Sequence, residues 1–111
     1  MPASVRTTLR FLFVFLLFVV FWLALLPAPD VVKLVSWQDK VEHAVLFALL
    51  ALFALAAWPA RPLTIALGLL LYGAAMEIAQ SMTEHRFGDP WDWLADAVGL
   101  LVLLPVILRR R

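Results

Sequence analysis

Three pairs of polar residues are spaced so that each pair shares one face of a helix. Asp39 and His43 are four residues apart, Glu77 and Gln80 three apart, and Asp92 and Asp96 four apart. Side chains at those separations are neighbours on an α-helix. The residue types fit proton handling, since a histidine beside carboxylates carries protons near neutral pH and close carboxylates share them. They also allow a divalent cation on Glu77, Asp92 and Asp96 with His43, because hard cations take oxygen ligands. Arg86, the loop cation beside the last pair, is a natural partner for Asp89, Asp92 or Glu77. Lys40 adds a second cation next to Asp39.

Each of these residues also has a plainer role open to it. Glu77, Gln80 and Asp96 can join helices by hydrogen bonds. Asp39 and Asp92 suit the first turn of a helix, where the dipole favours a carboxylate, and Lys40 can snorkel to an interface. The chain carries no His-Glu-x-x-His, no glycine-rich phosphate loop and no serine in a nucleophile setting. With no cysteine, disulfides and thiolate chemistry are excluded. No basic patch with interleaved aromatics points to nucleic acid, and nothing calls for an organic cofactor.

The elements that must position these residues are apolar. Of 111 residues, 65% are hydrophobic, and the mean hydropathy is +0.97. A soluble chain this short has no interior large enough for so much apolar surface. Four stretches read as membrane-spanning helices: residues 9–26, 41–58, 63–82 and 91–108. The first, about 27 Å long at the α-helical rise, has a basic flank like that of a signal peptide. No small-x-small cleavage site follows it, so a retained helix is expected. The turn from Pro59 to Pro62 makes the second and third helices antiparallel neighbours. The expected fold is an all-α bundle of four transmembrane helices in one domain.

Trp22, Trp37, Trp58, Trp91 and Trp93 are expected in interfacial belts, and the aromatics from Phe11 to Phe21 are expected to face lipid. Ala44, Ala48, Ala51, Ala74 and Ala75 are expected to allow close helix packing.

Basic residues set the orientation. Arg6, Arg10, Arg61, Arg109, Arg110 and Arg111 fall on the side of the termini, and Lys33, Lys40 and Arg86 on the other. The positive-inside rule then predicts cytoplasmic termini. All eight acidic residues (Asp30, Asp39, Glu42, Glu77, Glu84, Asp89, Asp92 and Asp96) gather on the opposite side. Glu77 and Asp96 each lie five residues inside a helix end, roughly 7 Å deep at 1.5 Å per residue, with His43 and Gln80 nearer the surface. Ionisable groups at that depth are expected to face the bundle interior.

From Asp39 to Gly99 the chain resembles the VanZ-like family of small bacterial membrane proteins. That family opens its second helix with Asp-Lys-x-x-His, matched by Asp39, Lys40 and His43 with Phe47 one turn on. Its third helix carries Tyr-Gly and then Glu-x-x-Gln, matched by Tyr72, Gly73, Glu77 and Gln80. Its fourth follows an Arg and an Asp, matched by Arg86, Asp89, Asp92 and Gly99. Asp96 stands where the family commonly has Asn, and Leu103 replaces a second Gly. The resemblance implies a multi-pass protein of the bacterial cytoplasmic membrane, in the cell envelope and linked to resistance to teicoplanin-type glycopeptides. Its outer-face pocket would be built from His43, Glu77, Gln80, Arg86, Asp92 and Asp96, with Asp39 and Lys40 beside them. The expected partners are the lipid bilayer and an envelope lipid or another membrane protein. A non-catalytic scaffold or subunit, and a small transporter or lipid flippase, are the alternatives.

Overall fold

The computed structural model describes residues 2–26, 38–83 and 90–109; the side chains of Gln38 and Asp39 fall outside that description. Among the described residues every element is helical: α1 (Ala3–Leu25), α2 (Gln38–Ala57), α3 (Pro62–Ser81), α4 (Pro90–Gly99), a 3-10 turn over Leu100–Leu103, and α5 (Leu104–Arg109). The spans Ala3–Leu25, Lys40–Ala57, Pro62–Ser81 and Pro90–Arg109 are each long and apolar enough to cross a membrane. With no water in the hydrocarbon, a helix is the form in which a single segment satisfies its own backbone groups. The chain is a multi-pass membrane protein with the four-helix fold its composition predicts.

Prolines set most of the boundaries. The residue before a proline is pushed out of the helical region. Leu26, before Pro27, is extended at φ −69° and ψ 155°, and α1 stops there. Trp58, before Pro59, ends α2, and Arg61 N–H closes the turn on Trp58 O at 3.2 Å. Pro62 then occupies the first turn of α3, where its missing N–H costs nothing. At the other end of α3, Thr83 Oγ1 donates to Gln80 O at 2.9 Å.

Two boundaries differ from the sequence expectation. α1 begins at Ala3, so Arg6 and Arg10 lie within the helix. The last span is three pieces instead of one helix over 91–108. Pro105 has no N–H to offer the carbonyl of Leu101, and its ring crowds that carbonyl. The backbone before it tightens into the 3-10 turn.

The helices pair in register. Tyr72 Oη donates to Leu17 O at 2.6 Å, and Gln80 Nε2 to Ala24 O at 2.8 Å, so α1 and α3 run parallel. Arg10 Nε donates to Ala57 O at 2.9 Å, which sets α2 antiparallel to α1. α2 lies at the centre and packs most extensively on α4. Phe47, Leu50, Ala51 and Ala54 form its buried stripe, joined by Phe13, Leu69, Leu100 and Leu103. Phe11, Phe15, Phe18 and Leu71 are exposed. Such a surface is ordinary against lipid and aggregation-prone in water.

The aromatics divide between packing and lipid. Phe13 is buried, against the expectation of a lipid-facing set, because it packs on Phe53 and Trp58. Phe21 leans on Tyr72. Trp22 and Trp91 are exposed, as interfacial residues would be. Trp58 sits beneath the Arg10 guanidinium, 5.4 Å from its centroid. Trp93 is held inside the bundle by donating Nε1–H to Leu70 O at 2.9 Å. Trp37 lies outside the described residues. Of the alanines, Ala51 is buried in the core, whereas Ala75 is exposed.

Gly99 brings α4 against α2. A Cβ there would run into the carbonyl of Ala44, whereas a Cβ at Gly68 would meet nothing within 4 Å. Both glycines are helical, so alanine is intrinsically favoured by up to about 1 kcal/mol at either. Gly68→Ala is therefore expected to be neutral or stabilising. Gly99→Ala is expected to cost about 1–3 kcal/mol through overpacking. Unfolding of the two variants in a mixed-detergent titration checks this; equal effects would mean that the α2–α4 seam is not close-packed.

Candidate functional site

The polar residues meet where the start of α2, the end of α3 and the start of α4 converge. His43 lies one turn below Lys40 on α2, and Asp96 one turn below Asp92 on α4. Because α2 and α4 run parallel there, the two pairs align. Lys40 Nζ donates to Asp92 Oδ1 at 2.7 Å. His43 Nδ1 stands 2.9 Å from Asp96 Oδ1, a hydrogen bond whose donor depends on the tautomer. The other ring nitrogen, Nε2, is 3.6 Å from Asp92 Oδ2. That contact is electrostatic, being too long for a hydrogen bond.

The result is a polar ladder with its most exposed member at Lys40 and its fully buried member at Asp96. The Lys40 side chain is 33% exposed and Asp92 15%, His43 is 20% and Asp96 is 0%. Glu77 of α3 is also buried. One ligating atom each from His43, Glu77 and Asp96 lies within 4.8 Å of the other two. Three helices thus contribute one titratable group each to a single point, with His43 joining Glu77 and Asp96 although its estimated depth was shallower.

Gly73 and Phe47 make room for this point. A Cβ at Gly73 would stand 2.8 Å from Asp96 Oδ2 and 3.3 Å from Phe47 Cε2, so any side chain there would displace the carboxylate. Asp96 Oδ2 is buried and accepts no hydrogen bond among the described residues. Phe47 is fully buried and stacks obliquely on Tyr72 with ring centroids 6.1 Å apart. It forms the apolar floor beneath the carboxylate.

The structure brings together five of the expected residues: Lys40, His43, Glu77, Asp92 and Asp96. Gln80 is a correction. It stands in the last turn of α3, near the helix end as expected, but its amide turns away to α1, where it holds the carbonyl of Ala24. The metal set also changes: His43, Glu77 and Asp96 converge, while Asp92 pairs with Lys40 at the mouth. Arg86, Asp89 and the side chain of Asp39 lie outside the described residues. Gly73 is the functional position that spacing arguments passed over. It stands four residues before Glu77, so the shared helix face was available as a signal.

A groove of about 300 Å³ between α1, α2 and α3, lined by Phe13, Leu17, Ile65, Leu69 and Tyr72 among others, contains no carboxylate or imidazole.

Chemically, the ladder links a part-exposed carboxylate and ammonium to a buried carboxylate through one imidazole. His43 can accept at one nitrogen while donating at the other. Removing the imidazole leaves a fully buried carboxylate without its observed hydrogen bond. His43→Ala is expected to destabilise the protein by at least about 1–3 kcal/mol. The His43→Ala/Asp96→Ala double variant should lose clearly less than the sum of the single losses, since residues in one hydrogen-bonded pair are coupled. Detergent unfolding of the four proteins checks this, and strict additivity would show that the pair is not coupled.

Compared with known protein families, curated proteins and solved structures, the chain matches none, and its site stands on its own geometry.

Proposed function

We propose that the protein is a VanZ-like component of a bacterial cell envelope, in which the ladder Lys40–Asp92–His43–Asp96, with Glu77, forms an outer-face pocket that binds or acts on an envelope component. The observation that carries this reading is the hydrogen bond between His43 and the fully buried Asp96. An ionisable side chain within a spanning segment is costly, and residues kept there usually serve a pathway, a proton relay or a ligand. A clasp between helices needs no such pair, because Tyr72 and Gln80 already join α1 to α3 with neutral side chains.

The ligand is reached from the side where Lys40 and Asp92 are exposed. Placing the termini in the cytoplasm, as the six-to-three division of basic residues supports, turns that side outward. Lipid headgroups and glycopeptide targets would then meet an ammonium and a carboxylate first. His43 sits behind them as the group able to exchange a proton with whatever binds. The membrane in question is the bacterial cytoplasmic membrane.

Expression of the protein in a glycopeptide-sensitive bacterium tests the reading. The wild type is expected to raise tolerance to teicoplanin. Asp92→Asn, which keeps the shape of the mouth, and Glu77→Gln, which keeps that of the interior, should each abolish the gain at unchanged membrane abundance. Wild-type tolerance in both variants, or no gain from the wild type, would overturn the proposal.

A further inference from the structure

The convergence of His43, Glu77 and Asp96 has a second chemical meaning besides proton exchange. We infer that these three residues form a binding site for one first-row divalent cation of the zinc or manganese type.

The donor set is one imidazole nitrogen and two carboxylate oxygens, each from a different helix, all mutually within 4.8 Å. Around a cation with bonds of about 2.1 Å, neighbouring ligands stand roughly 3.0 Å apart and opposite ligands about 4.2 Å. The 2.9 Å between His43 Nδ1 and Asp96 Oδ1 is therefore as suitable for two adjacent ligands as for a hydrogen bond. A small inward turn of the Glu77 side chain closes the set. Imidazole with carboxylates suits zinc, manganese or ferrous iron better than calcium or magnesium, which take oxygen ligands throughout.

A second observation concerns the other oxygen of the same carboxylate. Asp96 Oδ2 belongs to a side chain with no exposed surface and accepts no hydrogen bond among the described residues. It faces Gly73, where the absence of a side chain preserves its position. A buried carboxylate oxygen of this kind is what a cation site supplies.

Asp92 completes the arrangement from outside the ligand set. Ligating histidines usually direct their second ring nitrogen at a carboxylate, which fixes the tautomer and orients the ring. Asp92 Oδ2 lies on the Nε2 side of His43 at 3.6 Å, while its other oxygen is fixed by Lys40. With Nε2 carrying the proton towards Asp92, Nδ1 presents its lone pair to the cluster. Asp92 is thus a positioning residue, and three protein ligands leave coordination positions open for water or for a group on a bound ligand.

The inference does not depend on the envelope reading, because its readout is metal content. The full-length protein, purified in detergent through an affinity tag free of histidine, is stripped with a chelator and titrated with Zn²⁺ and with Mn²⁺. Elemental analysis after desalting gives the stoichiometry, and thermal unfolding gives the stabilisation. One equivalent per chain and a raised melting temperature are expected with at least one of the two ions. Glu77→Gln and Asp96→Asn should each lose that equivalent while keeping native helix content by circular dichroism. Asp92→Asn should retain it with affinity lowered about 10–100-fold, and Gln80→Ala, altered on the α1 side, should retain it unchanged. Wild-type protein that binds neither ion above the protein-free detergent blank overturns the inference. So does an equivalent that persists in both folded Glu77→Gln and Asp96→Asn. A teicoplanin phenotype without bound metal would leave the envelope reading standing and remove this one.

Discussion

Asp96 is an acidic residue with no exposed surface in a bundle whose outward side chains are largely apolar. Transfer of such a group from water is expensive unless it is hydrogen-bonded or paired. Much of the surrounding architecture can be traced to that one requirement. His43 has to stand on the facing turn of α2, within hydrogen-bond distance. α2 and α4 have to run parallel so that Lys40–Asp92 and His43–Asp96 align as two successive rungs. Gly73 has to lack a side chain, or α3 would displace the carboxylate. Gly99, one turn below Asp96, has to lack one as well, so that α4 can reach the backbone of Ala44. The two glycines and the polar pair are parts of one constraint, and the extensive contact between α2 and α4 follows from it.

The opposite end of the bundle is held together differently. Arg10 covers Trp58 and caps the last carbonyl of α2, while Phe13 fills the space between Phe53 and Trp58. These contacts are aromatic and cationic, and they contain no acid. Neutral clasps join α1 to α3, with Tyr72 on Leu17 and Gln80 on Ala24. Individual hydrogen bonds between transmembrane helices average only about 0.6 kcal/mol. Packing of the α2 stripe must therefore supply most of the cohesion, with the hydrogen bonds choosing register.

How much of this was legible in the sequence follows from what spacing can encode. Apolar runs of eighteen to twenty residues punctuated by prolines determine four helices and their order, and rise per residue places Glu77 and Asp96 at comparable depth with His43 nearer the surface. Spacing within one helix cannot say which neighbour a face meets. Glu77 and Gln80 are three residues apart, which is a rotation of about 60° between their directions at 3.6 residues per turn. That angle is enough to send Glu77 to α2 and α4 and Gln80 to α1. The same limit hid the division of labour between Asp92 and Asp96: one turn of depth separates a carboxylate that a lysine can reach from one that only an imidazole can. Phe13 was hidden among exposed phenylalanines for a related reason. An apolar residue in a membrane helix carries no mark of whether it faces lipid or protein. The 3-10 turn had a local signal in Pro105, which the expectation of one helix over 91–108 did not use.

The position of the ladder along the bundle also bears on what it does. A polar pair meant only to hold helices together gains most where water cannot compete, at mid-membrane. Here the pair is near the helix ends, where exposure falls from 33% at Lys40 to none at Asp96 over about one turn. Such a gradient is poorly suited to a clasp, since its outer members compete with water and ion pairs of that exposure contribute little. It is well suited to a site that must be entered. On the proposed reading, the outer ammonium and carboxylate would meet a bound group first, with the imidazole at the boundary and the buried carboxylates behind it. The arrangement accepts the cost of burying Asp96 while keeping it one turn below the part-exposed Asp92, and on the proposed reading access is the property that this compromise gains.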